Sequence, residues 1–292
     1  MVTVAETTSR SPEPASPTRS RRLLSSRWSS LRLQVGVFAA LMLAWWAVTA
    51  LGLVKPVFLP GPGAVWTAFV ESNTCRPGPA GTDRIVCGEQ NYFLWQHLLA
   101  SLQRIAVGVS AGAVFGIVLG LAAGSSALIR TAVEPYVNFL RALPPLGYIG
   151  LLIVWFGVGD VSKVWLLFIA SFPPIAISTI TGVTGVQGDR VLAARTLGAS
   201  RLQVLQTVVI PAVLPEIVTG LRLAIGLAWA AVVAAELNNG IPGIGGLAYI
   251  SGQQLQTPLT VVCIIVIGIT AVALDLIATQ ALRIFVPWHG KG

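Results

Sequence analysis

Six apolar runs, each close to the 20 residues a helix needs to cross a hydrocarbon core, leave this chain few folds to choose from. They are Leu33–Leu53, Leu98–Ala123, Val133–Phe156, Val164–Gly182, Val218–Leu237 and Leu259–Val286. A bilayer offers no water to satisfy backbone groups, so runs of this length are helices and the predicted fold class is all-α integral membrane. Only 10% of the 292 residues are charged, against about 25% in a soluble domain. The net charge of +8 does not point to nucleic acid, because the basic residues flank the runs and the aromatics lie inside them.

The polar segments orient the spans. Residues 1–30 are rich in Ser, Thr, Pro and Arg and have almost nothing to bury, which predicts a disordered tail. The tail ends in a basic collar of Arg19, Arg21, Arg22, Arg27 and Arg32, and such collars stay cytoplasmic. Ser20-Arg21-Arg22-Leu23-Leu24 looks like a twin-arginine export signal, but no small-x-small cleavage site follows, so an uncleaved first span is expected. Six crossings return Arg283 and Lys291 to the same side, with a membrane domain over 31–292 and both termini cytoplasmic. Loop 54–94 then lies outside and holds Cys75 and Cys87. An oxidising exterior admits a disulfide between them. Two free thiols fit the same spacing, and a metal would want more Cys or His nearby than His97.

In the second span Gly108, Gly112, Gly116, Gly120 and Gly124 recur every fourth residue. That spacing keeps them near one helix face where another backbone can approach, and predicts a helix-packing interface. Breaks are expected at Pro144-Pro145 in the third span and at Pro173-Pro174 in the fourth; a break at membrane depth must face protein or water. A charge at mid-membrane costs about 2.5–3.5 kcal/mol on insertion scales, so such groups are kept paired or wet. Arg104, Arg141, Arg222 and Glu236 are therefore candidates to line a pathway, together with Pro144 and Pro145 beside Arg141. Arg222 and Asp275 are each near enough to a span end to snorkel or to form structural pairs instead.

A polar, basic segment, 186–215, separates the fourth and fifth spans. Asp189 is expected to cap a short helix that Gly198 ends, because glycine enters the left-handed C′ conformation without a Cβ penalty. Ser200 then opens a second helix, with Gln203 completing a capping box. Leu202, Leu205, Val208 and Val209 form its apolar stripe and Pro211 closes it. The expectation is two short helices meeting at a Gly-Ala-Ser elbow and needing a surface to pack on. An ordinary interfacial loop satisfies the same residues.

Ala193-Ala194, Gly198-Ala199 and Val208-Val209-Ile210-Pro211 resemble the signature loop of the permease subunits of prokaryotic ATP-binding-cassette (ABC) importers. That loop reads Glu-Ala-Ala, three residues, Gly-Ala, about nine residues, then apolar-x-apolar-Pro; here Leu192 stands where the family usually has Glu. Residues 141–167, RALPPLGYIGLLIVWFGVGDVSKVWLL, resemble the branch that imports nitrate, taurine, alkanesulfonates and bicarbonate. The resemblance covers about residues 31–286 and implies a type I importer permease with a cytoplasmic coupling helix between spans four and five. In it Leu192, Ala193, Ala194, Gly198, Ala199, Ser200, Arg201 and Pro211 would meet an ATPase. It also implies a prokaryotic plasma membrane, a second permease subunit (most simply a copy of this chain), two ATPases using ATP and Mg, an extracytoplasmic binding protein, and alternating access for a small anion.

No enzyme site suggests itself in the sequence. No HExxH occurs, His97 and His289 lie at opposite ends, and none of Lys55, Lys163 and Lys291 sits in GxxxxGK[ST]. No catalytic residue, metal site or cofactor is expected in this chain, and ATP hydrolysis would fall to a separate polypeptide. The competing reading is an ion-coupled secondary transporter or channel that works without an ATPase. It predicts an inverted repeat and paired acids at mid-membrane, and neither is visible in the sequence.

Overall fold

The computed structural model describes residues 18–77, 85–237 and 240–285, with side chains for those between 32 and 280. The chain divides into two units, Met1–Pro62 and Gly63–Gly292. The first contains helix α1 (Thr18–Ala50), followed by a turn in which Trp45 Nε1 donates to the Pro60 carbonyl at 3.0 Å. Residues 1–17 of the expected disordered tail lie outside the described residues, and 18–30 belong to α1. No proline follows Pro17 until the span ends, so nothing stops the helix of the span from extending back into the basic collar.

Loop 54–94 contains regular elements of its own. Pro62, with a ring that suits the first helical position, opens α2 (Pro62–Glu71), on which Trp66 and Phe69 stack at 5.6 Å. Strands β1 (Cys75–Pro77) and β2 (Ile85–Cys87) then pair antiparallel, with Cys75 opposite Cys87 and a disulfide joining them. Arg76 holds this hairpin between Glu71 and Glu89, at 2.6 and 2.7 Å.

The remaining helices are α3 (Leu94–Ser125), α4 (Ala127–Ala142), α5 (Pro145–Phe156), α6 (Asp160–Thr184), α7 (Gly188–Thr196), α8 (Arg201–Val204), α9 (Ile210–Glu236), α10 (Ile244–Gln253) and α11 (Thr257–Phe285). Among the described residues five helices are long and apolar enough to cross a membrane, and there are six spans if the bent pair α4–α5 counts as one. That pair turns through 99° at Leu143–Pro144. Pro144 forces the residue before it out of the helical region.

The core is a three-helix layer of α3, α6 and α9. The five glycines of α3 all face α6: a Cβ at Gly108 would meet Leu167 Cβ at 2.5 Å, at Gly116 the Phe172 carbonyl at 2.8 Å, at Gly120 Thr179 Cβ at 2.5 Å and at Gly124 Val183 Cβ at 2.5 Å. Gly112 lies against Ser171 in the same row. Each step of four residues on α3 is matched by about four on α6, so the two helices run parallel. On the other side Gly182 of α6 meets Val213, and Gly220 of α9 meets Ser178, which makes α9 antiparallel to both.

The expected break at Pro173-Pro174 does not occur. Both prolines are buried inside α6, which continues unbroken from Asp160 to Thr184. Proline removes N–H groups without ending a helix when neighbouring helices hold it in place, and the glycine face of α3 presses on this stretch.

Candidate functional site

Two polar assemblies stand at opposite ends of α9. The first is the elbow. Gln187, not Asp189, is the N-cap of α7; Asp189 lies in the first turn, where its charge suits the helix dipole. Gly198 has φ +86°, and its N–H donates to the Arg195 carbonyl at 2.9 Å while Ala199 N–H reaches the Ala194 carbonyl at 3.1 Å. These two bonds close a Schellman motif and satisfy carbonyls that the helix end would otherwise leave unpaired. Ser200 and Gln203 then form the reciprocal capping box, at 3.4 and 2.8 Å.

Pro211 does not close the second helix. A π-helical segment, Leu205–Val209, carries α8 directly into α9, making one helical run of 36 residues, Arg201–Glu236. Ile210 N–H donates to the Leu205 carbonyl, five residues back, so the backbone absorbs the proline by widening one turn. The wide turn also rotates the buried face. Val204, Val209, Val213 and Ile217 form the core here, while Leu202, expected on the stripe, is 62% exposed.

Val191, Ala194 and Ala199 pack onto that core, which pins the elbow to the spans. On its free side Leu192, Leu197 and Leu202 stand 63%, 89% and 62% exposed. Ala193, Ser200, Arg201 and Pro211 are exposed as well. Behind the elbow, Thr181, Gln187, Arg190, Ala212 and Glu216 line a cavity of about 420 Å³.

The second assembly lies at the other end of α9. Glu236 is fully buried; Oε1 accepts from Arg104 Nη1 and from Ser101 Oγ, each at 2.6 Å, and Oε2 from Gly245 N–H at 2.8 Å. Arg104, 5% exposed, also donates to the Pro242 carbonyl at 2.7 Å and to Asp160 Oδ1 at 2.8 Å. Lys163 Nζ is 3.7 Å from the same Asp160 oxygen. His97, also buried, places Nδ1 3.1 Å from Gly243 N and Nε2 3.1 Å from the Glu89 carbonyl. A neutral ring protonated on Nε2 satisfies both contacts.

The pathway candidates thus separate into three places. Arg104 and Glu236 meet and are sealed from solvent. Arg222 is exposed and bidentate to Asp275 on α11, at 2.6 and 2.9 Å. Arg141 and Pro144 are exposed at the α4–α5 bend, with Pro145 half-buried beside them. Sequence reasoning did not assign Ser101, Asp160 or His97 to the Glu236 cluster; the signal available was the i, i+4, i+7 spacing of His97, Ser101 and Arg104, polar residues on one face of an apolar helix. The segment 238–257, between the fifth and sixth apolar runs, contains α10. Asn238 and Asn239 of that segment lie outside the described residues, as do Val286, His289 and Lys291. No cluster of His, Cys, Asp and Glu suited to a metal occurs among the described residues.

Residues 112–290 match the family described as binding-protein-dependent transport system inner membrane component. The chain is 41% identical over 273 residues to the taurine transport system permease protein TauC of Escherichia coli (strain K12), covering 92% of this chain and 95% of that one. It is 31% identical over 253 residues to the putative aliphatic sulfonates transport permease protein SsuC of Bacillus subtilis (strain 168), covering 87% and 86%. A chain of the MetNI methionine ABC transporter in an inward-facing crystal structure shares the fold, with a TM-score of 0.53 at 19% identity, covering 66% of this chain and 97% of that one. Matches of this extent exclude the ion-coupled transporter, and the chain belongs to the family of binding-protein-dependent transport system inner membrane components, the permease subunits of ABC importers.

Proposed function

We propose that two copies of this chain line the pathway of an ATP-driven importer for a small anion of the sulfonate/taurine, nitrate or bicarbonate class, with taurine the first candidate. The relatives named for taurine and aliphatic sulfonates support that class. The elbow end faces the cytoplasm, where Arg190, Arg195 and Arg201 agree with basic cytoplasmic flanks. The Cys75–Cys87 hairpin faces the oxidising side, where a binding protein would deliver solute. Two ATPases, using ATP and Mg, would bind the elbows, and their closure would tip the spans between two arrangements. The chain itself performs no catalysis in this scheme. Arg141, Pro144, Pro145 and Arg222 are the pathway candidates still open to solute.

The observation that carries this reading is the row of exposed leucines on a backbone fixed from behind, an apolar surface on a polar segment that nothing among the described residues covers. The test is purification of the tagged chain from native membranes with identification of what stays bound. A P-loop ATPase should be recovered with wild type and lost with Leu197→Asp. Recovery of a stable oligomer without ATPase, transporting in vesicles without ATP, would sink the importer reading.

A further inference from the structure

The Glu236 cluster has a second property beyond its burial: it builds the turn that joins α9 to α10. Glycines at 243 and 245 lie against the carboxylate, Gly240 against the Glu236 backbone and Cβ, and Gly246 against Gly240. A Cβ at Gly240 would meet Glu236 Cβ at 2.5 Å, at Gly243 Glu236 Cδ at 2.6 Å, at Gly245 the Val233 carbonyl at 2.6 Å and at Gly246 the Gly240 carbonyl at 2.7 Å. The backbone can wrap this closely only because side chains are missing.

The polar groups of the turn end on α3 or on Glu236 itself. The Pro242 carbonyl accepts from Arg104, Gly243 N–H faces His97, Ile244 N–H donates to Ser101 Oγ at 3.0 Å, and Gly245 N–H donates to Glu236. Buried backbone groups need partners, so the shape of the turn depends on where Glu236 sits relative to α3. Glu236 in turn terminates the same 36-residue run that begins at Arg201, capped by Ser200, in the elbow. At 1.5 Å per residue that run is about 54 Å long.

We infer that Glu236 and Arg104 are positioning residues that couple the elbow to segment 240–253. In this role they do not contact solute: displacement of the elbow run against α3 pulls Glu236 out of register with Arg104 and Ser101, which releases the turn and lets α10 move. The inference rests on the importer reading for the source of the displacement. The coupling within the chain is testable without it, because coupling between sites is reciprocal.

The measurement is amide hydrogen exchange on the full chain in micelles and on the ATPase complex, resting and trapped with ATP and vanadate. In wild type at rest, 240–253 should be protected. In Glu236→Gln, which keeps the shape and removes the charge, exchange should rise at least tenfold over 240–253 and also over 188–200, while 164–180 of α6 stays unchanged. In the complex, trapping should raise exchange over 240–253 in wild type, and Glu236→Gln should hydrolyse ATP while transport falls at least tenfold. Exchange rising only at 240–253, or equally everywhere, would reduce the cluster to a local brace and overturn the inference. Failure to recover any ATPase would instead count against the importer reading, and the micelle comparison would still decide the coupling.

Discussion

Arg104 Nη1 lies 2.6 Å from Glu236 Oε1, two residues 132 positions apart in the chain whose side chains are 5% and 0% exposed. Buried ion pairs are weak evidence of stability as pairs, but removing one member strands the other. Arg104→Met is expected to cost about 3–5 kcal/mol and to lower the melting temperature in detergent clearly. Arg222→Met, at the exposed pair with Asp275, should shift it far less. Equal shifts would mean that burial does not distinguish the two pairs.

The glycine row of α3 makes a separate prediction. Gly120→Val places methyls where Thr179 Cβ is already 2.5 Å from an added Cβ and the Ala176 carbonyl 2.9 Å away. Overpacking of this kind costs about 1–3 kcal/mol, and folded yield should fall. Gly150→Ala on α5, where nothing lies within 4 Å of the added carbon, should leave yield intact. A normal yield for Gly120→Val would show that α3 and α6 are not in close contact.

At the elbow, Gly198→Ala meets no neighbour within 4 Å, so its effect comes from the backbone at φ +86° alone. A left-handed non-glycine residue costs roughly 1–2 kcal/mol. Faster amide exchange over 188–200 and weaker retention of the ATPase are expected, with Gly198→Asn milder because asparagine tolerates this region. If alanine and asparagine behave alike, the conformation is not what holds the elbow.

Reduction of Cys75–Cys87 should loosen the hairpin without touching the spans. Closing a loop of this size contributes about 3 kcal/mol in the chain-entropy account, and the sequence separation is 12. Under a reductant, limited proteolysis should cut between the two cysteines while α3 to α11 remain protected. A maleimide should label two more thiols than in the oxidised chain, in which Cys263 is buried. Unchanged labelling would mean the bond is absent from the purified protein.

The elbow was legible because its signals are local. Gly198 ends α7, and the Ser200–Gln203 box opens α8, through hydrogen bonds that span three to five residues. The glycine row was legible for the same reason, since one helix face repeats within a single span. The proline signals divided. Pro144-Pro145 bends the chain by 99°, whereas Pro173-Pro174 leaves α6 whole, and the dipeptide is the same in both. The difference lies in what packs against each pair, which is not written beside it.

The sequence by itself determined the apolar spans, the capped elbow and the packing face of α3, because hydropathy, capping and helical period depend on residues within a few turns of one another. Only the tertiary structure decided that Arg104 answers Glu236, that 240–246 wraps that carboxylate, and that the elbow and Glu236 are two ends of one helical run. The ion pair joins residues 132 positions apart, the wrap of 240–246 is held by bonds to His97, Ser101 and Arg104 of α3, and the single run turns on one widened turn at Leu205–Val209. A buried charge takes whatever partner the folded helices bring to it, and no local pattern can name that partner.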